Sequence, residues 1–170
     1  IINLKANKAL SAEVIAATPH PQLAEWLRPS GYFNIKAERL QNFCRWWLEE
    51  GRQQHLEQLP THDLRHALLS VKGVGPETAD DMVLYAFNRP VFVIDAYTRR
   101  LFSRLGLISG DEGYETLRSF VEEAFGRTDE QVSLYNEFHA LIVIHAKDYC
   151  RKRPQCHGCP LVKRCPSREL

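Results

Sequence analysis

One short run limits the fold more than any other feature of this chain. Val91-Phe92-Val93-Ile94 is the only stretch that reads as a β-strand, and a single strand of about four residues cannot make a sheet. The rest reads as helix after helix, punctuated by glycine and proline. The expected fold class is therefore all-α, with Val91–Ile94 as a buried extended connector. Ser11 can cap a short helix ending near Thr18, and a second runs from about Pro21 to Leu27. Pro29, Ser30 and Gly31 make a turn, after which Leu40, Phe43, Trp47 and Leu48 follow helical spacing up to Gly51. Thr61 with Asp63 opens a helix carrying Leu64, Ala67 and Leu68. Gly73-Val74-Gly75 breaks it, and Pro76 suits the first position of the next, which runs to about Phe87. Asn88, Arg89 and Pro90 form a turn. Asp95 can N-cap a helix through Leu105, stopped by Gly106. Further helices are expected from Gly113 to Phe125 and from about Glu130 to Tyr149.

Composition adds exclusions. Of 170 residues, 44% are apolar and 25% charged, which is ordinary globular usage and argues against disordered or fibrous classes. No apolar run approaches the ~20 residues of a membrane span, and no secretory signal opens the chain, so a cytoplasmic protein without membrane partners is expected. The first residue is Ile1, so upstream sequence holding part of a site is also expected.

The net charge of +1 hides an uneven distribution. Between Ser109 and Glu130 stand Asp111, Glu112, Glu115, Glu122, Glu123, Asp129 and Glu130 against Arg118 and Arg127. Basic residues gather instead at Arg89, Arg99, Arg100 and Arg104, and again at Lys147, Arg151, Lys152, Arg153, Lys163, Arg164 and Arg168. A polyanion would meet the basic faces and avoid the acidic one. A solvated mixed surface is the plainer reading.

Four of the five cysteines crowd into the last 21 residues, as Cys150-x5-Cys156-x2-Cys159-x5-Cys165. Without a signal peptide, a metal site is favoured over a disulfide framework. Four thiolates around loops with Pro154, Gly158 and Pro160 can wrap a tetrahedral or a cubane centre. The single C-x-x-C pair favours a [4Fe–4S] cluster and leaves zinc open. The segment after Cys150 has too few apolar residues for a core, so something else must order it. Cys44, among Phe43, Trp46 and Trp47, reads as a small buried hydrophobe.

Two further features carry chemistry. Leu68 to Asp80 is a helix, a glycine hairpin at Gly73-Val74-Gly75 and a second helix. Glycines permit close backbone approach, and the unpaired N–H groups of the second helix offer a phosphate seat; a plain helix-turn-helix connection is the bland alternative. Twenty residues after Gly75 comes Asp95. It suits an N-cap, where the dipole and backbone donors hold a carboxylate ionised. Such a carboxylate is also what an oxocarbenium-like transition state needs beside it.

In this order, the hairpin, the aspartate and the four-cysteine loop resemble the endonuclease III family of DNA glycosylases. Ile2-Asn3-Leu4-Lys5 is similar to the end of an early family helix. Gly31-Tyr32-Phe33-Asn34-Ile35-Lys36-Ala37 resembles the family's segment before a long helix. Gly73-Val74-Gly75 with Thr78-Ala79 is like the hairpin motif, Val93-Ile94-Asp95 like the aspartate segment, and His145-Ala146-Lys147 like the stretch leading into the cysteines. The resemblance implies a two-lobed helical fold with DNA in the cleft between lobes. It implies a [4Fe–4S] cluster on Cys150, Cys156, Cys159 and Cys165, catalysis by Asp95, and DNA contacts from Tyr32, Lys36, Lys72, Gly73, Val74 and Gly75. Tyr32 falls where the family inserts an apolar wedge; a core tyrosine beside Pro29 is the alternative. The expected partition is a remnant helix at 1–10, a helical domain at 11–128, and a terminal helix with the cluster loop at 129–170. The expected partner is duplex DNA carrying a base lesion, bound by a monomer.

Departures from the pattern sharpen the expectation. Bifunctional members carry a lysine two residues after the second glycine, which forms a Schiff base. Here that residue is Glu77, which cannot form an imine, so a monofunctional glycosylase using water is expected. Tyr97 stands where bifunctional members often have histidine. Glu77 with Asp80, and Asp95-Ala96-Tyr97, resemble the branch that removes alkylated purines such as 3-methyladenine, and Glu77 and Tyr97 are the candidate pocket residues. Glu77 can equally be a first-turn acid favoured by the helix dipole. Trp26, Tyr32, Phe33, Trp46 and Trp47 could stack on a cationic base, though most are expected in the core. A glycosylase for oxidised pyrimidines or mismatched thymine, and a non-catalytic DNA-binding iron–sulfur protein, are the competing readings.

Overall fold

The computed structural model describes residues 1–50 and 53–168. The expected stop at Gly51 and the last charged residue, Glu169, lie outside them. Helices dominate, and no strand occurs among the described residues. The chain groups into two compact units, 1–79 and 80–170, a partition different from 1–10, 11–128 and 129–170. No described helix is long and apolar enough to cross a membrane.

The first unit contains α1 (Ile2–Ala6), α2 (Ala12–Ala17), α3 (His20–Leu27), α4 (Phe33–Glu50), α5 (Gln53–Gln58), α6 (Thr61–Leu69) and the start of α7 (Pro76–Asp81). Ser11 caps α2 as expected, its hydroxyl accepting from the Val14 amide. The turn before α4 is a 3-10 turn at Arg28–Ser30 followed by two left-handed residues, Gly31 (φ 66°) and Tyr32 (φ 48°). That reversal corrects one expectation. Phe33 to Ala37 do not precede the long helix but form its first turns, because the buried face already begins there. Ala37, Gln41 and Cys44 recur at helical spacing and are buried, and the small Ala37 lets α4 approach its neighbours closely. Gln41 donates to the carbonyls of Ile15 (3.3 Å) and Thr18 (2.7 Å), satisfying the end of α2. Cys44 is the buried hydrophobe expected of it, with burial pushing its thiol up, helped by Glu13. Trp26, Phe33, Trp46 and Trp47, expected mostly in the core, are only half-buried.

The second unit contains α8 (Ala96–Arg104), α9 (Tyr114–Phe125) and α10 (Gln131–Asp148). After Asp81 the helix expected to continue to Phe87 becomes a π-helical segment, Met82–Ala86, in which the Phe87 amide reaches back to the Met82 carbonyl. Val91 to Ile94 form the buried, unpaired connector that the sequence predicts. Buried amides need partners, and here side chains supply them. Phe92 N–H donates to Glu122 (2.9 Å) and Ile94 N–H to the Tyr114 hydroxyl (3.3 Å). Glu122 is held in turn by Arg118, which also reaches Glu115 and the fully buried Asp80. Part of the acidic stretch is thus structural rather than a solvated face. Phe92, Ile94, Phe102, Leu117, Tyr135 and Ile142 centre the core around this connector.

Candidate active site

Asp95 closes the connector and caps α8, its Oδ1 accepting from the Thr98 amide at 2.7 Å. Its Oδ2 lies 3.6 Å from Nε2 of His139 on α10. The other imidazole nitrogen, Nδ1, is 2.6 Å from the hydroxyl of Tyr85 in the π-helical segment. His139 stacks edge-on against Phe92, so its ring is fixed by packing as well as by polar contacts. The side chains of Asp95 and His139 are 13% and 8% exposed, leaving the carboxylate nearly desolvated but reachable. Burial pushes the Asp95 carboxyl up, yet His139 and the Thr98 donors outweigh it and hold it below the ordinary aspartate value. Neighbouring Asp81 goes the other way. Its burial, together with Asp95 and Asp80, raises it despite His139. The Tyr85 phenol is also raised, by burial and by Asp81 and Asp95, which keeps its proton in place. One carboxylate held ionised beside another pushed toward neutrality is an arrangement suited to acid–base work.

His139, Tyr85 and Asp81 were not singled out in the sequence. A lone histidine in an apolar helix and a tyrosine in Met82–Ala86 carry no motif, and only the folded π turn aligns them.

Tyr97, expected in a substrate pocket, packs against the core of the second unit, with the Arg100 guanidinium 5.1 Å above its ring. Glu77 is exposed on the first turn of α7. In the first unit the hairpin docks on α4. Lys72 pairs with Glu38 (2.9 Å), the Asn42 amide donates to the Lys72 carbonyl (3.2 Å), and Arg39 packs beneath Gly73, where a Cβ would collide with it. The same helix carries Lys36, whose ammonium donates to the Ser30 carbonyl at 2.6 Å. The hairpin and the Tyr32–Lys36 segment, far apart in the sequence, thus share one support. Tyr32 is 83% exposed, which excludes the core alternative.

The cysteine loop is tied to α8 by two arginines. Arg100 donates to the Cys150 carbonyl at 2.7 Å, and Arg104 to the carbonyls of Arg151 (2.6 Å) and Lys152 (3.0 Å). Two members of the expected basic stretch are therefore spent within the fold. Arg104 also lies 3.3 Å from the Cys150 sulfur, and His145 Nε2 3.8 Å from that of Cys159. Cys150, Cys156, Cys159 and Cys165 line one small cavity of about 30 Å³, and none forms a disulfide. Among the described residues no three His, Cys, Asp or Glu side chains gather as they would around one metal ion. A larger hollow of about 630 Å³, lined by Glu122, Glu123, Arg127 and Tyr135, includes neither Asp95 nor any of the cysteines. Its acids disfavour a polyanion.

Residues 2–127 match the HhH-GPD superfamily of base excision DNA repair proteins. The chain belongs to this family. Over 171 aligned residues it is 40% identical to a Methanocaldococcus jannaschii protein named as a putative DNA repair glycosylase, covering 99% of this chain and 76% of that one. It is 29% identical to the endonuclease III of Sulfolobus acidocaldarius, covering 82% of this chain and 59% of that enzyme. Among solved structures it resembles the H. pylori 3-methyladenine DNA glycosylase bound to 1,N6-ethenoadenine, with TM-score 0.71 and 31% identity over 85% of this chain and 74% of that one. For this HhH-GPD protein, the family match includes the hairpin and Asp95 but ends before the four cysteines from Cys150 to Cys165.

Proposed function

We propose that this HhH-GPD protein is a monofunctional DNA glycosylase that hydrolyses the N-glycosidic bond of an alkylated purine, with Asp95 as the catalytic carboxylate. The observation that carries the reading is the near-buried, ionised Asp95 at the head of α8. As the C1′–N bond breaks, its electron pair leaves with the base and positive charge builds on the sugar. Asp95 stabilises that charge and accepts a proton from the water whose oxygen bonds to C1′. The absence of an amine at Glu77 supports water as the nucleophile. The likeness to a 3-methyladenine glycosylase supports the alkylpurine class. Tyr32, Lys36 and the Lys72–Gly75 hairpin would meet the DNA.

Cys150, Cys156, Cys159 and Cys165 would hold a [4Fe–4S] cluster. The four cysteines line one shared cavity, and their spacing, with a single C-x-x-C pair, supports a cluster over a zinc ion. The Arg104 guanidinium beside Cys150 offsets part of the charge of four thiolates. The cluster would supply structural cross-linking of the loop.

The test incubates the protein with duplexes bearing single lesions: 3-methyladenine, 1,N6-ethenoadenine, thymine glycol and a thymine mismatch. Release of free alkylated purine with no strand cleavage and no borohydride-trapped adduct is expected. Excision of thymine glycol alone, or efficient trapping, overturns the monofunctional alkylpurine reading.

A further inference from the structure

His139 is more than nine-tenths buried, yet its Nε2 lacks a hydrogen-bond partner of its own and faces a carboxylate oxygen. A buried imidazole nitrogen facing a carboxylate is tolerable only as N–H, because a bare lone pair there would repel the oxygen. Neutral imidazole has one proton, so Nε2–H requires an acceptor at Nδ1. The Tyr85 hydroxyl, 2.6 Å away, can donate to it. We propose that His139 is a positioning residue for Asp95: its Nε2–H, fixed in that tautomer by the Tyr85 hydroxyl on Nδ1, orients Oδ2 while the Thr98 amide orients Oδ1. The inference rests on the reading of Asp95 as the catalytic carboxylate.

Oδ1 is then held by α8's own backbone, while Oδ2 is faced at 3.6 Å by the imidazole from α10. This is the usual support of a catalytic histidine by a carboxylate with the roles exchanged: the carboxylate reacts and the imidazole orients. Other groups facing this spot pull differently. Asp81, from the segment before the π turn, and Asp95 disfavour each other's charge, and Asp80, which adds to this at Asp81, is engaged by Arg118 of α9. Tyr114 of α9 is turned to the Ile94 amide. Arg99 and Arg100 of α8 are turned to the carbonyls of Glu112 and Cys150. His139 is thus the donor from outside α8 that offsets burial at Asp95. Remove it, and only the Thr98 donors still oppose burial and Asp81.

The test reads the Asp95 carboxyl directly by 13C NMR titration, without substrate, in wild type and in His139→Leu, His139→Gln and Tyr85→Phe. In His139→Leu the Asp95 midpoint should rise by about 1 pH unit or more. Glutamine, whose amide can reach the Nε2 position, should restore much of it, and Tyr85→Phe should fall between. Imidazole 15N shifts of wild type should report protonated Nε2 and unprotonated Nδ1. An unmoved Asp95 midpoint in His139→Leu and Tyr85→Phe, or an Nδ1–H tautomer, overturns the proposal. If His139→Leu fails to fold, Tyr85→Phe decides, since it removes only the hydroxyl on Nδ1 and keeps the packing. The acid limb of base release from methylated duplex DNA should follow the NMR midpoint in kcat, with KM little changed. A protein that excises nothing would sink the glycosylase reading and leave the carboxyl titration to judge His139 on its own.

Discussion

Replacing Asp95 by asparagine leaves the cap of α8 nearly intact, since asparagine caps about as well as aspartate, but removes the charge. Base release under single-turnover conditions should fall by roughly 10²-fold or more, the range of a lost general base. DNA binding should be kept or strengthened as repulsion of phosphates disappears. A folded Asp95→Asn protein with undiminished release would return Asp95 to helix capping alone. At Tyr32 the separation is cleaner, because its ring is 83% exposed. Tyr32→Ala should leave the melting temperature within a degree or two and weaken lesion-duplex binding by about 1–3 kcal/mol, the worth of one stacked base. Asp95 was legible as the cap of α8 after its apolar run, and the proposed catalysis asks for the same residue in the same place. His139 was not. Its role comes from a contact across 44 residues to Asp95 and 54 to Tyr85, and nothing local marks it.

Among the elements, the hairpin is where local sequence and packing agree best. Gly73 has φ +99° and lies against the side chain of Arg39. Gly73→Ala would add both left-handed strain, about 1–2 kcal/mol, and a collision that moves Arg39. The variant should lose about 2 kcal/mol or more in urea unfolding, whereas Gly75→Ala, where a Cβ meets nothing within 4 Å, should lose far less. Equal costs at the two glycines would show that hairpin and α4 do not press together. Helix starts at Ser11 and Asp95 were readable because each has a side-chain cap. The start of α4 was not, since it follows two left-handed residues, Gly31 and Tyr32, neither of them a usual capping type with a side-chain acceptor such as Ser, Thr, Asp or Asn. The π turn at Met82–Ala86 was equally silent, for its composition is that of any buried helix.

For the whole molecule, the cysteine loop gives the most visible expectation. Protein from cells able to assemble clusters should be brown, with broad absorbance in the blue; a colourless preparation with stoichiometric zinc would exclude iron–sulfur. Lys152 and Arg153 are exposed on this loop, while the Arg151 Nε is engaged by the Lys147 carbonyl. Replacing Lys152 and Arg153 by alanine should flatten the dependence of log affinity on log salt by about 0.9 for each phosphate that the loop no longer neutralises. The all-helical class was legible from one negative fact, a strand-like run with nothing to pair with. Why that run stays extended was not legible, because its partners are Glu122 and Tyr114, 30 and 20 residues downstream of Phe92 and Ile94. The distance has a consequence in time. Helices can nucleate from neighbouring residues, but this connector gains its bonds only once α9 has arrived, and distant pairings of this kind form late because loop-closure entropy precedes their reward. Asp95, at the end of this connector, should therefore take its place late in the folding of its unit. The amides of Phe92 and Ile94 should exchange with solvent only when that unit opens entirely, so a chain caught half-folded would have helices without a placed Asp95.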